Sequence, residues 1–322
     1  MSKEFEIIEQ VFRRRVRANP NVVLGIGDDA ALTQLPDGCD LVTATDALVA
    51  GTHFLAQAPA RSVGHRCLAV NLSDLAAMGA EPLWASLALS LPELNHDWLN
   101  DFADGFFALA DRHRVTLIGG DTVRGSLFAS LTLQGALPRA VAVRRDGAAA
   151  GDSIYVSGHP GDAAAGRLLA SDELRITGAS SKGDLLIERF YYPVPRVAAG
   201  LSLRGLASAM IDISDGLNVD LGRLLNASGA GASLDIADIP LSTSLLGIVD
   251  QSRALELALC GGDDYELCFT IAPDKVPLLH AAADAWGCPL TCLGIVSAES
   301  GLKWTEDGEH YSVPDSAFEH FL

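Results

Sequence analysis

Apolar positions recur along this chain in two rhythms. Near the start Phe5, Ile8 and Phe12, with Ile7 and Val11 beside them, mark one side of a 3.6-residue helix. Residues 22–26 and 41–45 are short β-rich runs, each ending in an acidic knot. Residues 60–78 read as a helix, with Gly79 placed as its C′ residue. On that helix Asn71 and Asp74 lie three apart and so share a face. A second helix is predicted over 97–113, followed by a strand over 115–118, and 127–137 alternates as a further strand. Between Pro138 and Asp152 the composition turns to Arg, Asp, Gly and Ala, which predicts a boundary between a domain at 1–138 and another at 139–322. Beyond it, strands are expected at 153–157, 209–213, 265–271 and 290–296. Helices are expected at 163–170, 184–191, 196–207, from 216 to about 228, and 273–286. Alternation of this kind in both halves predicts two α/β (α+β) domains.

Aspartates in Gly/Ser-flanked knots punctuate this pattern: Asp28-Asp29, Thr45-Asp46, Ser73-Asp74, Gly119-Gly120-Asp121, Asp212-Ile213-Ser214-Asp215-Gly216 and Gly262-Asp263-Asp264. A carboxylate at the end of an apolar run is costly unless it is hydrogen-bonded, opens to a cleft or meets a cation. Taken singly, each aspartate reads as a turn residue or helix cap. Their recurrence after apolar runs predicts ligation of hard cations such as Mg²⁺, gathered to hold a polyphosphate.

Composition narrows the choice. The chain of 322 residues carries 23 basic and 41 acidic side chains, a net charge of −18, which disfavours nucleic acid and anionic membrane surfaces as partners. Its four lysines leave phosphate charge to metal, arginine and backbone N–H groups. The six cysteines form no CxxC pair and read as reduced thiols. The start of the sequence lacks a signal-peptide pattern, and no apolar run approaches membrane-spanning length, so a cytoplasmic location is expected. A P-loop string is absent, EF-hand spacing is absent, and the loose dinucleotide pattern at Gly25-Ile26-Gly27-Asp28-Asp29-Ala30 sets two carboxylates where a pyrophosphate would approach.

Six strings together resemble the thiamine-monophosphate kinase family, which shares a superfamily with aminoimidazole ribonucleotide synthetase and selenophosphate synthetase. They are Gly25 to Ala30; Thr45-Asp46-Ala47-Leu48-Val49-Ala50-Gly51-Thr52-His53; Ala69 to Ala80, containing Asn71-Leu72-Ser73-Asp74; Ile118-Gly119-Gly120-Asp121-Thr122; Ile211 to Leu217; and Gly261-Gly262-Asp263-Asp264-Tyr265-Glu266-Leu267. The resemblance runs from about residue 5 to 321. It implies an N-terminal α/β domain that dimerises by adding its strands to a barrel-like sheet with the partner's, a C-terminal α/β domain, and ATP in a cleft between them. By motif match Asp29, Thr45, Asp46, Asp74, Asp121, Asp212 and Asp215 would carry several Mg²⁺ ions. Gly120, Asp121, Arg145 and Ser214 would touch ATP, and His53, Asp263 and Phe318 would face thiamine monophosphate. Asp46, Asp121 and Arg145 would bear most directly on phosphoryl transfer. Ala44 stands where relatives often have a hydroxyl, so a contact there would use its carbonyl. Asp263 stands where many have glutamate.

The implied activity is ATP-dependent conversion of thiamine monophosphate to thiamine diphosphate in a homodimer. Two alternatives stay open at this point: another ATP-using member of the superfamily, and a non-catalytic nucleotide- or metal-binding protein.

Overall fold

A computed structural model describes residues 7–176 and 180–314. The chain divides into two compact units. One comprises the chain up to Leu75 together with Ala80–Ala140; the other comprises Ala76–Gly79 with the chain from Val141 onward.

In the first unit a short π-helical turn, Ile8–Phe12, buries Ile7, Val11 and Phe12; Phe5 lies outside the described residues. The strands β1 (Val22–Leu24) and β2 (Leu32–Thr33) pair antiparallel and bracket the Asp28-Asp29 loop. The main sheet is built from β3 (Cys39–Val49), β4 (Glu81–Leu91), β5 (Thr116–Arg124) and β6 (Phe128–Pro138), in the order β3-β6-β4-β5. Only the β4–β5 pair is parallel. Helices α1 (Ala60–Ala77) and α2 (His96–His113) supply apolar side chains to the core. Leu68, Leu72, Leu75, Leu99, Phe102 and Phe106 are fully buried, as are Leu131 and Leu133 of β6. Gly79 ends α1 in the left-handed conformation (φ 68°), with Ala80 N–H donating to Leu75 O, as the sequence predicts.

Two strands run further than their sequence pattern suggests. β3 continues through Val49 because Ala47, Leu48 and Val49 keep their partners Ser130, Ala129 and Phe128 on β6. β5 continues to Arg124 because Gly120 to Arg124 pair with Leu87 to Leu91 of β4. Thr45-Asp46 and Gly120-Asp121 therefore lie within ladders, where strand-end turns were expected. β4 itself, the inner strand between β6 and β5, has no counterpart among the sequence-predicted elements.

The second unit is built on a four-stranded antiparallel sheet in the order β11-β7-β10-β8: β7 (Ser153–Ser157), β8 (Ala207–Ile213), β10 (Glu266–Ile271) and β11 (Leu290–Ile295). A three-stranded sheet, order β13-β12-β9, sets β9 (Gly231–Asp235) parallel to β12 (Gly301–Glu306), with β13 (Glu309–Tyr311) antiparallel at its edge. The helices are α3 (Asp162–Ala170), α4 (Ser181–Tyr191), α5 (Val197–Ser202), α6 (Leu217–Ala227), α7 (Gln251–Cys260) and α8 (Val276–Ala283). The helix expected at 196–207 is only the six residues of α5, and the one expected at 273–286 is a 3₁₀ turn followed by α8. Ile154, Ile211, Ile213, Leu221, Leu224, Leu259 and Trp304 form the unit's main core.

Candidate functional site

In the first unit the registers sort the expected residues by sheet face. Residues paired directly across strands share a face, and successive residues alternate. Asp46 pairs with Leu131, which pairs with Leu87, on the face whose leucines are buried. Thr45 pairs with Thr132 and Asp121 with Ala88, on the opposite and more open face. Thr45 Oγ1 and Thr132 Oγ1 share a hydrogen bond of 2.9 Å there. Gly120 approaches β4 so closely that a Cβ would sit 1.8 Å from Leu87 O, and its φ of 144° excludes most side chains. That glycine fixes where Asp121 emerges.

On the buried side, Asp46 meets Asp74 of α1 through a side-chain hydrogen bond. Burial pushes the Asp46 carboxyl above its ordinary pKa, with the Asp74 bond opposing the shift. Asp46 Oδ2 is buried and has no hydrogen-bond partner. One turn before Asp74, Asn71 donates through Nδ2 to Cys67 O at 3.2 Å while its buried Oδ1 is unpartnered. Two carboxylates in contact, one with an orphaned oxygen, suit a hard divalent cation. Among the described residues no three His, Cys, Asp or Glu side chains gather closely enough to hold an ion. Asp29 sits in the exposed β1–β2 loop, its N–H donating to Asp28 Oδ1 at 2.8 Å. His53, in the turn after β3, accepts from Val49 N–H at Nδ1 (3.1 Å), which places its own ring proton on Nε2.

In the second unit β8 ends at Ile213, with buried Asp212 paired to Leu267 of β10. The following turn is held from below by Asp220 of α6, whose Oδ2 accepts from Ser214 N–H (3.0 Å) and Asp215 N–H (2.9 Å). Burial raises the Asp220 carboxyl despite those donors. Arg223 Nη1 links Asp215 (2.5 Å) to Asp220 (2.8 Å). The loop from Gly261 to Tyr265 lies along this turn: Asp263 N–H donates to Ser214 O and Tyr265 N–H to Ile213 O, both at 2.8 Å. Gly262 makes the approach possible, because a Cβ there would sit 2.4 Å from Ser214 O. The structure thus brings Ser214, Asp215 and Asp263 together. Arg145 is exposed; its carbonyl accepts from Ser228 Oγ (3.0 Å), while neighbouring Arg144 pairs with Asp146. Phe318 lies outside the described residues.

Sequence reasoning missed several supports. Asp220 and Arg223 carry no motif of their own, although they fall three apart on one face of α6, just beyond Asp215. The buried Arg196–Glu266 pair, with Ser157 Oγ donating to Glu266 at 2.6 Å, joins residues too far apart in sequence to be read as partners.

Comparison with known proteins adds a separate line of observation. AIR synthase related protein, N-terminal domain, matches residues 27–137, and AIR synthase related protein, C-terminal domain, matches 149–305. Thiamine-monophosphate kinase of Salmonella typhimurium is 44% identical over 319 residues, 99% of this chain and 98% of that protein. The crystal structure of thiamine-monophosphate kinase from Stenotrophomonas maltophilia is similar with a TM-score of 0.87 at 46% identity, covering 96% of this chain and 98% of that one. AaThiL complexed with AMPPCP and TMP is similar with a TM-score of 0.78 at 32% identity, covering 92% of each chain.

Proposed function

The chain belongs to the thiamine-monophosphate kinase family, and from that premise we propose that it transfers the terminal phosphoryl group of ATP to the phosphate of thiamine monophosphate. The observation that carries this reading is identity of 44% along nearly the whole chain, joined to a 32% identical relative that holds AMPPCP, an ATP analogue, together with TMP. In the reaction a phosphate oxygen of the acceptor forms a bond to the γ-phosphorus, the bond from that phosphorus to the β-bridging oxygen breaks, and ADP leaves. The attacking monoester is already ionised near neutral pH, so no general base is needed, and the protein's task is positioning and charge neutralisation.

Asp46 and Asp74 form the seed of the cation site, because their contact and the orphaned Oδ2 ask for a positive charge. Asp29, Thr45 and Asp121 in the first unit, and Asp212 and Asp215 in the second, are proposed as ligands of further Mg²⁺ ions. Bound Mg²⁺ would offset the repulsion between two phosphate-rich reactants. Gly120, with Asp121, Arg145 and Ser214, is proposed to contact ATP; Arg145 is suited to phosphate oxygens because no side-chain partner occupies its guanidinium among the described residues. His53 would donate from Nε2 to the acceptor's phosphate, and Asp263 and Phe318 would face the rest of that molecule.

A homodimer is proposed on the state of β3. It is an edge strand of its sheet and eleven residues long, and it exposes Leu41 (51%) and Val49 (38%); Val23 and Leu32 on β1 and β2 are more than half exposed. A long apolar edge of this kind is normally covered. Among the described residues no helix is long and apolar enough to cross a membrane, and we propose a cytoplasmic location.

The test is incubation of the purified protein with ATP, Mg²⁺ and thiamine monophosphate, with unphosphorylated thiamine as the control acceptor. Stoichiometric ADP and thiamine diphosphate are expected only with the monophosphate. Bound ATP with no turnover would refute the proposal.

A further inference from the structure

Within the loop from Gly261 to Tyr265 the backbone is unusual. Gly262, Asp263 and Tyr265 all have positive φ (68°, 65° and 52°), and two of the three carry side chains that disfavour it. Such a turn persists only when its surroundings fix it. The N–H groups of Asp263 and Tyr265 are bound to Ser214 O and Ile213 O, and Tyr265 Oη donates to Asp263 Oδ1 at 3.4 Å. Asp264, between the two strained residues, has both carboxylate oxygens engaged elsewhere. Oδ2 accepts from Gly161 N–H (2.9 Å) and Oδ1 from Ala163 N–H (3.3 Å), at the start of α3. These donors point out of a helix N-terminus, the most favourable backbone partner for a negative group. Two residues on, Glu266 is pinned by Ser157 and Arg196, and a Cβ at Gly158 would come within 1.9 Å of Glu266 Oε1. The loop is therefore clamped on both flanks of Tyr265, through half-buried contacts at Asp264 and buried contacts at Glu266, and Asp263 sits immediately before that clamp.

We propose that Asp264 is a positioning residue for acceptor recognition: by anchoring the turn to the start of α3 it sets the direction in which Asp263 is presented to thiamine monophosphate. This rests on the reading of Asp263 as an acceptor contact. Asp162, in the helix's own first turn, is instead bonded to Ser242 Oγ at 2.6 Å and makes no cap bond. The acceptor for those N–H groups is therefore brought in from the strained loop, so that one pair of bonds both ends the helix and clamps the turn that carries Asp263.

The test is a double-mutant cycle in the full-length protein, with Asp264→Asn, Asp263→Ala and the combined variant. The KM for thiamine monophosphate, the KM for ATP and the thermal midpoint are measured for each. Asp264→Asn keeps the shape but turns an amide N–H toward one of the two donors. It is expected to raise the KM for thiamine monophosphate about tenfold with the ATP constant within about twofold. If Asp264 acts through Asp263, the combined variant should be no worse than Asp263→Ala alone. A lowered midpoint with both KM values unchanged, or fully additive effects, would overturn the proposal and leave a structural cap. An Asp263→Ala variant with unchanged acceptor KM would instead remove the underlying reading, and the proposal with it. Should Asp264→Asn fail to fold, Asp264→Glu serves in its place: it keeps both acceptor oxygens, displaces the turn by one methylene, and should show the same KM split.

Discussion

Asp46→Asn separates the charge economy of the first unit from its architecture. In the cation-free protein Asp46 and Asp74 are in hydrogen-bond contact, and burial has already pushed Asp46 toward its protonated form. Two full charges in such contact, about 3–4 Å apart at an effective dielectric near 20, would repel by about 4–5 kcal/mol, a penalty the pair must meet to ionise fully. Asparagine supplies a neutral donor to Asp74 without that requirement. The variant should therefore be more stable than wild type in EDTA, by about 1–2 kcal/mol or a midpoint roughly 3–6 °C higher. Millimolar Mg²⁺ should reverse the order. A cation present at about 100 times its dissociation constant stabilises the native state by about 2.7 kcal/mol, and the variant forfeits most of that. Turnover should fall by about 10²-fold, the transition-state equivalent of about 2.7 kcal/mol. Scanning fluorimetry in EDTA and in Mg²⁺, alongside ADP release, reads all three quantities. A variant less stable than wild type in EDTA, or with near-wild-type turnover, would refute the reasoning.

His53→Ala should raise the KM for thiamine monophosphate roughly ten- to a hundredfold, the worth of one hydrogen bond to a charged group, with the ATP constant little changed; steady-state kinetics with each substrate varied would check it. Glu266→Gln leaves Arg196 facing a neutral partner at a site where both side chains are under one-tenth exposed, and should cost about 3–5 kcal/mol, seen as a fall of roughly 6–15 °C by calorimetry. His113 has its pKa lowered to about 4 by burial, then by Arg112 and His65, from 6.5 in the unfolded chain. As pH falls below 6.5 the unfolded state binds a proton that the native state refuses, so stability is lost toward pH 4. Allowing for the site's partial exposure, about 1 kcal/mol should disappear by pH 5, and His113→Leu should flatten that part of the midpoint-versus-pH curve.

The mixed α/β architecture could be read from the chain because its signals are local: the stop at Gly79 and the alternation through β6. What could not be read is decided by pairing partners. Nothing near Asp46 says that β3 continues three residues further; the ladder to β6 does. β4 escaped because its stretch from Leu83 to Leu91 is nearly all apolar, the pattern of a strand buried on both faces, which periodicity cannot tell from helix. At the site, the motif residues were visible as types, whereas their supports depend on contacts across the chain. Asp264 meets α3 across 103 positions in one bond and 101 in the other, and Glu266 meets Arg196 across 70. The sheet registers also divide Asp46 from Thr45 and Asp121 by face, a distinction that a string of residues does not contain.

The parallel pairing of β9 with β12 has a consequence for how this chain must be made. β12 is the middle strand of its sheet, and Trp304, buried in the unit's main core, donates from Nε1 to Asn218 Oδ1 on α6 at 2.9 Å. Thr305 reaches back across 71 positions to Leu234 O. On a ribosome moving at about 5–20 residues per second, β9 waits roughly 4–14 s for its partner, with its backbone edge open and the Trp304 place in the core unfilled. A chain stopped just before Gly301 would hold every residue proposed here to touch metal or ATP, yet it would lack the strand that closes the second unit. Nonsense mutations and proteolytic clips in that short stretch should therefore read out as lost protein rather than as altered kinetics.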